Sequence, residues 1–146
     1  MLSVLHTDVQ HNAAGALGNL AMTDSLKTTV INQGGLIPLV HLASCHCSDE
    51  TGNTKVQRQV TRALFTLSAI SKIRSDIVSA RGVRPLVKLA QSSLPDIQRD
   101  AAGALANFAI GRGNKRKVIK CGGLVRVLLM QTEIFQIYLM MCYMYV

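Results

Sequence analysis

The apolar positions of the chain fall into three stripes of one design. Val9, Ala13, Ala16, Leu17 and Leu20 form the first, Val56, Val60, Ala63, Leu64 and Leu67 the second, and Ile97, Ala101, Ala104, Leu105 and Phe108 the third. The spacing i, i+4, i+7, i+8, i+11 is one face of an α-helix, which predicts long helices near residues 8–22, 54–69 and 95–110. Two shorter patterns recur between them. Leu26, Val30 and Ile31 return as Ile73, Ile77 and Val78, then as Val118 and Ile119, and each group runs into a glycine corner at Gly34-Gly35, Arg81-Gly82 or Gly122-Gly123. A further helix is predicted to start at once over 36–42, 83–89 and 124–130, with Pro38 and Pro85 in its first turn, where a missing N–H is harmless.

One register orders all of these elements. AAGALGNLA at 13–21 reappears as AAGALANFA at 101–109, identical at seven of nine positions, and a degenerate copy, VTRALFTLS, occupies 60–68. The steps from Val9 to Val56 (47 residues) and from Val56 to Ile97 (41 residues) also relate Gln10, Gln57 and Gln98, then Gly35, Gly82 and Gly123, then Leu39, Leu86 and Val127. The six extra residues of the first step fall within SCHCSDETGNT at 44–54, a polar, turn-rich segment that reads as an expanded surface loop. A unit recurring at tens of residues implies a stack of small helical units. The expected fold is therefore an all-α solenoid of about three repeats over residues 1–130.

The Val-Gln or Ile-Gln opening of the long helix, Ala-Ala-Gly-Ala-Leu-x-Asn, and Gly-Gly-Leu-Ile-Pro-Leu-Val together resemble the armadillo repeat. The likeness covers about residues 8 to 130. The second unit departs most, with Arg62 in place of the Gly and Thr66 in place of the Asn. The resemblance implies a right-handed α-α superhelix whose long helices line a concave groove. It also implies a scaffold or adaptor of the vacuolar or β-catenin-like type that docks an extended partner segment. In this family the Asn at the places of Asn19 and Asn107 hydrogen-bonds a peptide backbone, a task suited to an amide with both donor and acceptor.

The implied groove face consists of Asn12, Gly15 and Asn19, then Gln59, Arg62 and Thr66, then Asp100, Gly103 and Asn107. Nuclear-import adaptors of the family carry a Trp four residues before that Asn, and here the matching positions are Gly15, Arg62 and Gly103. Without an aromatic slot for a Lys stem, recognition of basic localisation signals is disfavoured. Arg62, with Arg58 and Arg99, instead suits an acidic or phosphorylated segment. The alternatives are a nuclear-transport-type adaptor and a basic helical-repeat module binding nucleic acid. The latter would use Arg112, Lys115, Arg116, Lys117 and Lys120, although no aromatic is interleaved there for base stacking, and a solvated outer face is the simpler reading.

Little else carries chemistry. His41, Cys45, His46 and Cys47 lack the second half-site of a structural zinc pattern, so no metal is expected. Cys121 reads as a small buried residue of the glycine corner. No histidine has a serine or carboxylate at a catalytic spacing, and no cofactor or enzymatic activity is expected. Asp96, following Pro95, is predicted to cap the third long helix. Gly15, Gly18 and Gly103 cost roughly 1 kcal/mol each relative to Ala inside a helix, a cost that close helix approach or groove clearance would offset.

Composition narrows the setting. Hydrophobic residues make up 49% and charged residues 16%, which excludes a disordered polar segment, and with aromatics at 4% and no Trp the core must be aliphatic. The net charge of +8 suits an acidic partner, a nucleic acid or an anionic surface and selects none of them. Four unpatterned Cys and the lack of a signal peptide point to a reducing, intracellular setting, cytoplasmic or nuclear. The register puts Met1 and Leu2 at the tail of a preceding middle helix, so the solenoid is expected to be truncated at both ends. Residues 131–146 form an atypical apolar tail that reads as a truncated or mis-spliced end, a packed cap or a membrane anchor. Its 13-residue core, IFQIYLMMCYMYV, is shorter than the ~20 residues a bilayer requires. Exposed end faces and self-association are expected of so short a stack.

Overall fold

The computed structural model describes residues 2–46, 53–110 and 112–121 as eight helices: α1 (Leu2–Leu20), α2 (Asp24–Asn32), α3 (Leu36–His46), α4 (Thr54–Ser68), α5 (Ser71–Ser79), α6 (Val83–Leu89), α7 (Pro95–Ile110) and α8 (Arg112–Lys120). No strand occurs among the described residues. The long helices α1, α4 and α7 stack side by side with α4 in the middle, α3 packs on α4 and α6 on α7, and α8 closes against α7 and α5. The predicted helix over 124–130 and the apolar tail lie outside the described residues.

The stripes of α4 and α7 form the core. Val56, Val60, Ala63, Leu64 and Leu67 are fully buried, as are Ala101, Ala104 and Phe108, with Ile97 and Leu105 nearly so. Each large aliphatic side chain contributes about 1.5–3 kcal/mol by leaving water. The first stripe behaves differently. On α1, Val9 is 65% exposed and Leu20 46%, Ala13 and Ala16 are exposed, and only Leu17 is half-buried. The buried residues here are instead Ala14 of α1 and Ala21 in the turn that follows it. The reason is positional: α4 has α1 on one flank and α7 on the other, whereas among the described residues nothing flanks the same side of α1. The helix also begins at Leu2, so the expectation that Leu2 ends a separate helix is corrected, and Met1 lies outside the described residues.

Two buried hydroxyls of α4 are satisfied within their own helix. The fully buried Thr61 donates its hydroxyl to the Gln57 carbonyl at 2.6 Å and Ser68 to the Phe65 carbonyl at 2.6 Å. Both bonds return to a preceding turn of α4, so these hydroxyls enter the interior without an unpaired donor.

The first two glycine corners fold as predicted, with one substitution of means, and Gly122-Gly123 lies outside the described residues. Gly34 takes φ +80 after α2, and the amide of Gly35 bonds the Val30 carbonyl at 2.9 Å. After α5 the same left-handed place is filled by Arg81 at φ 64, and the Gly82 amide bonds the Ile77 carbonyl at 2.9 Å. A Cβ on Gly82 would lie 2.6 Å from Ile77 Cγ2 and 3.2 Å from Val40 Cγ2 of the preceding unit, so this glycine sets the distance between units. Two opposite effects on thermal stability follow. Arg81→Gly relieves the left-handed strain and is expected to raise stability by about 0.5 to 1 kcal/mol. Gly82→Ala presses on the fully buried Ile77 and is expected to lower it by about 1–3 kcal/mol.

Candidate functional site

The long-helix wall is built where α1, α4 and α7 meet. Gly15 and Gly18 bring α1 against α4: a Cβ on Gly15 would lie 3.5 Å from Gln59 Oε1, and one on Gly18 would lie 3.4 Å from Ala63 Cβ. Between α4 and α7 the contact is different. A Cβ on Gly103 would lie 2.7 Å from Phe65 Cε2, so the half-buried Phe65 ring occupies the volume that Gly103 leaves. Of the two roles foreseen for Gly103, close helix approach therefore has direct structural support. Phe65 was not among the predicted wall residues. The signal was present, since its register equivalents are Gly18 and Ala106, and one bulky residue among small ones demands a small neighbour across the helix interface.

Asn107 is held in two ways. Its side-chain amide donates to Ser68 Oγ at 2.9 Å, and its backbone carbonyl accepts from the Arg74 guanidinium at 2.7 Å. The carbonyl is one of the four left unpaired at the end of α7, so Arg74 both caps the helix and places positive charge at its negative pole. The Asn107 amide nitrogen thus already joins α7 to α4. Asn12 and Asn19 on α1 are exposed, and Gln59 and Thr66 are half-buried, with Thr66 donating its hydroxyl to the Arg62 carbonyl at 2.9 Å.

The three arginines of the wall do not share one state. Arg58 of α4 pairs with Asp96 in the first turn of α7, with a second contact from Nη2 to Oδ1 at 3.5 Å. This hydrogen bond holds the Asp96 carboxyl below its ordinary value and raises the Arg58 guanidinium. Pro95 is the first residue of α7, so Asp96 sits inside the helix and is not its N-cap; its carboxylate joins two units instead. Arg99 donates to Asp100 Oδ1 at 3.2 Å, and Asp100 is 8% exposed, which removes it from the accessible wall. Arg62 is exposed, and its side chain has no carboxylate partner among the described residues.

Other predicted positions lie apart from the wall. Arg116, Lys117 and Lys120 are exposed on α8, Lys115 is half-buried, and Val118 anchors the helix to the core at 3% exposure. The side chain of Arg112 lies outside the described residues. On α3, Cys45 Sγ is 3.7 Å from His41 Nδ1; Cys47 and the His46 side chain lie outside the described residues, and among the described ones no three potential metal ligands cluster. Cys121 is half-buried, less enclosed than predicted. A surface recess of about 540 Å³ is lined by residues including Ser44, Arg84, Lys88 and Cys121, and none of the wall residues borders it. Among the described residues no helix is long and apolar enough to cross a membrane.

Comparison with known proteins places this geometry. Residues 71–110, which span α5 to α7, match the armadillo/β-catenin-like repeat. Comparison with curated proteins gives no match. An engineered protein of known crystal structure is 27% identical, with a TM-score of 0.79 over 95% of this chain and 57% of that one. A computationally designed armadillo repeat protein for modular peptide recognition is 24% identical, with a TM-score of 0.77 over 94% of this chain and 58% of its own. A designed armadillo repeat protein in complex with the peptide (KR)4 is 23% identical, with a TM-score of 0.73 over 89% and 54%. The chain thus spans little more than half the length of these structures.

The Arg58–Asp96 pair carries a pH signature. Because the folded Asp96 titrates below its ordinary value of 3.8, its stabilisation is present above that pH and is lost as the pH falls through the depressed value. The two side chains are 45% and 34% exposed, so solvent limits the pair to about 0–1 kcal/mol at neutral pH. Asp96→Asn is expected to flatten the acid limb of the stability profile with at most that loss at pH 7, as read by denaturant melts across the acid range.

Proposed function

We propose that this armadillo-repeat chain is a non-catalytic protein-interaction scaffold that docks an extended partner segment along the wall of α1, α4 and α7. The fold supports a protein-binding role, and the wall residues support the finer reading. The observation that carries it is the exposed Arg62 on the central helix α4, with the exposed Asn19 on the neighbouring α1 and the half-buried Asn107 on the neighbouring α7. Arg58 and Arg99 are engaged by the chain's own carboxylates, which leaves Arg62 as the wall's charge for a ligand. An acidic or phosphorylated segment is the complementary partner, since a guanidinium offers a carboxylate or phosphate paired donors. The amides of Asn19 and Asn107 would hold its backbone, with the Asn107 oxygen facing the ligand while its nitrogen stays on Ser68.

The fold neighbour bound to (KR)4 takes a basic peptide. Here the exposed Arg62, with no carboxylate partner among the described residues, and the absence of Trp argue for the opposite charge preference and against a nuclear-transport-type adaptor. The same reading places the chain in the cytoplasm or nucleus, with Cys45 and Cys121 as free thiols.

Fluorescence polarisation with a labelled phosphorylated acidic peptide and with (KR)4 provides the test. The acidic peptide is expected to bind and (KR)4 to bind more weakly. Arg62→Glu is expected to weaken the acidic peptide about tenfold or more, the worth of one charge-assisted hydrogen bond. Unchanged affinity in Arg62→Glu overturns the reading. A loss in Lys117→Glu alone, together with steep salt dependence for an oligonucleotide, transfers the function to α8 and nucleic acid.

A further inference from the structure

One turn beyond the row of Asn19, Thr66 and Asn107, the wall carries an apolar rim. Met22, Ala69 and Ile110 are register equivalents, each three residues past a member of that row. Residues three apart share a face of a helix, and the backbone keeps this relation past the ends of α1 and α4. The Met22 amide bonds the Asn19 carbonyl at 3.1 Å, and the Ala69 amide bonds the Thr66 carbonyl at 3.4 Å. Met22 is 60% exposed and Ile110 58%, and Ala69 is exposed as well. This exposure is not an effect of the ends of the stack. Ala69 follows α4, which is flanked on both sides, and the position is open there too, whereas the core stripe is exposed on α1 and closed on α4. The same place is open in every unit, and two of the three copies put a bulky apolar side chain on it.

We infer that the partner segment carries two bulky apolar residues about six apart, seated on Met22 and Ile110, with its acidic residue midway between them. The inference rests on the proposed docking of an extended acidic segment along this wall. Adjacent packed helices lie about 8–10 Å apart, so α1 to α7 spans about 16–20 Å, the length of about five to six extended residues. An extended chain whose backbone groups face the amides of Asn19 and Asn107 points its side chains alternately in the two opposite directions along the helix axes. The rim lies about 4.5 Å beyond the amide row in one direction, by the helical rise. Arg62, four residues before Thr66, lies about 6 Å away in the other. An even separation sends both apolar side chains to the rim, and an odd offset sends the acidic one to Arg62. The pattern Leu-x-x-Glu-x-x-Leu, or the same with a phosphorylated serine at its centre, meets both conditions. A wholly hydrophilic segment leaves Met22 and Ile110 uncovered.

Fluorescence polarisation with the full chain and labelled peptides of equal length and charge tests this. The probe has a central phosphorylated serine with a leucine three residues to each side, and its parent has serine in place of both leucines. The probe is expected to bind about tenfold tighter than the parent, through two partly buried leucines. Moving the phosphorylated serine one place toward either leucine turns it to the rim and is expected to cost about threefold or more. Met22→Gln with Ile110→Gln is expected to remove the tenfold gain and leave the parent's affinity unchanged. Both sites are exposed, and circular dichroism melts verify folding. Should the double variant fail to fold, Ile110→Ser alone replaces it and is expected to lower the gain about threefold. Arg62→Glu is expected to weaken probe and parent alike. A probe that binds no better than its parent, or a gain that survives Met22→Gln with Ile110→Gln, overturns the inference, and the proposed function stands where the parent still depends on Arg62. A gain lost in the rim variant, with neither peptide weakened by Arg62→Glu, supports the apolar seating and overturns the acidic contact.

Discussion

The stripe on α4 is buried from both sides by helices that belong to other units, and the remainder of the structure depends on that arrangement. A single unit of one short and two longer helices leaves an apolar face open, and only stacking removes it from water. The consequence is visible within one chain. Equivalent residues are wholly enclosed at Val56 and Val60 on α4 but exposed at Val9 and Ala13 on α1. Burial here is a property of position in the stack and not of the side chain.

Stacking distance is set by exchanges of volume between neighbouring helices. Phe65 fills the space left by Gly103, Ala63 approaches Gly18, and Val40 rests beside the Gly82 corner. Polar links then fix the register that these contacts permit: Arg58 to Asp96, Asn107 to Ser68, and Arg74 to the end of α7. The same side chains that a partner segment would meet are thus partly engaged in holding the wall together. This division of labour singles out Arg62, which makes no such link through its charged group.

Most of the architecture was legible in the repeat register, because helical period, glycine corners and proline positions are local properties. The long helices α4 and α7 lie where the 3.6-residue period places them, and Arg81 adopts the left-handed conformation that Gly34 takes in the first unit. What the sequence alone left ambiguous depends on long-range neighbours. Asp96 reads as a cap from its place after Pro95, but Arg58 lies 38 residues earlier and takes its carboxylate. Asp100 sits at a groove register position, yet the turn of α7 leaves it 8% exposed beside Arg99. The stripe of α1 matches the others in pattern, and pattern carries no information about whether a flanking helix is present.

The central proposal is that side chains of α1, α4 and α7 receive an extended acidic segment, with Arg62 of the central helix as its charged contact. Amide chemical-shift mapping of the full chain during titration with such a peptide tests it most directly. The account predicts that the largest shifts run through Asn19, Arg62, Thr66 and Asn107, with the α3 and α6 faces unmoved. Shifts confined to α8, or to the recess bordered by Arg84 and Lys88, would contradict it.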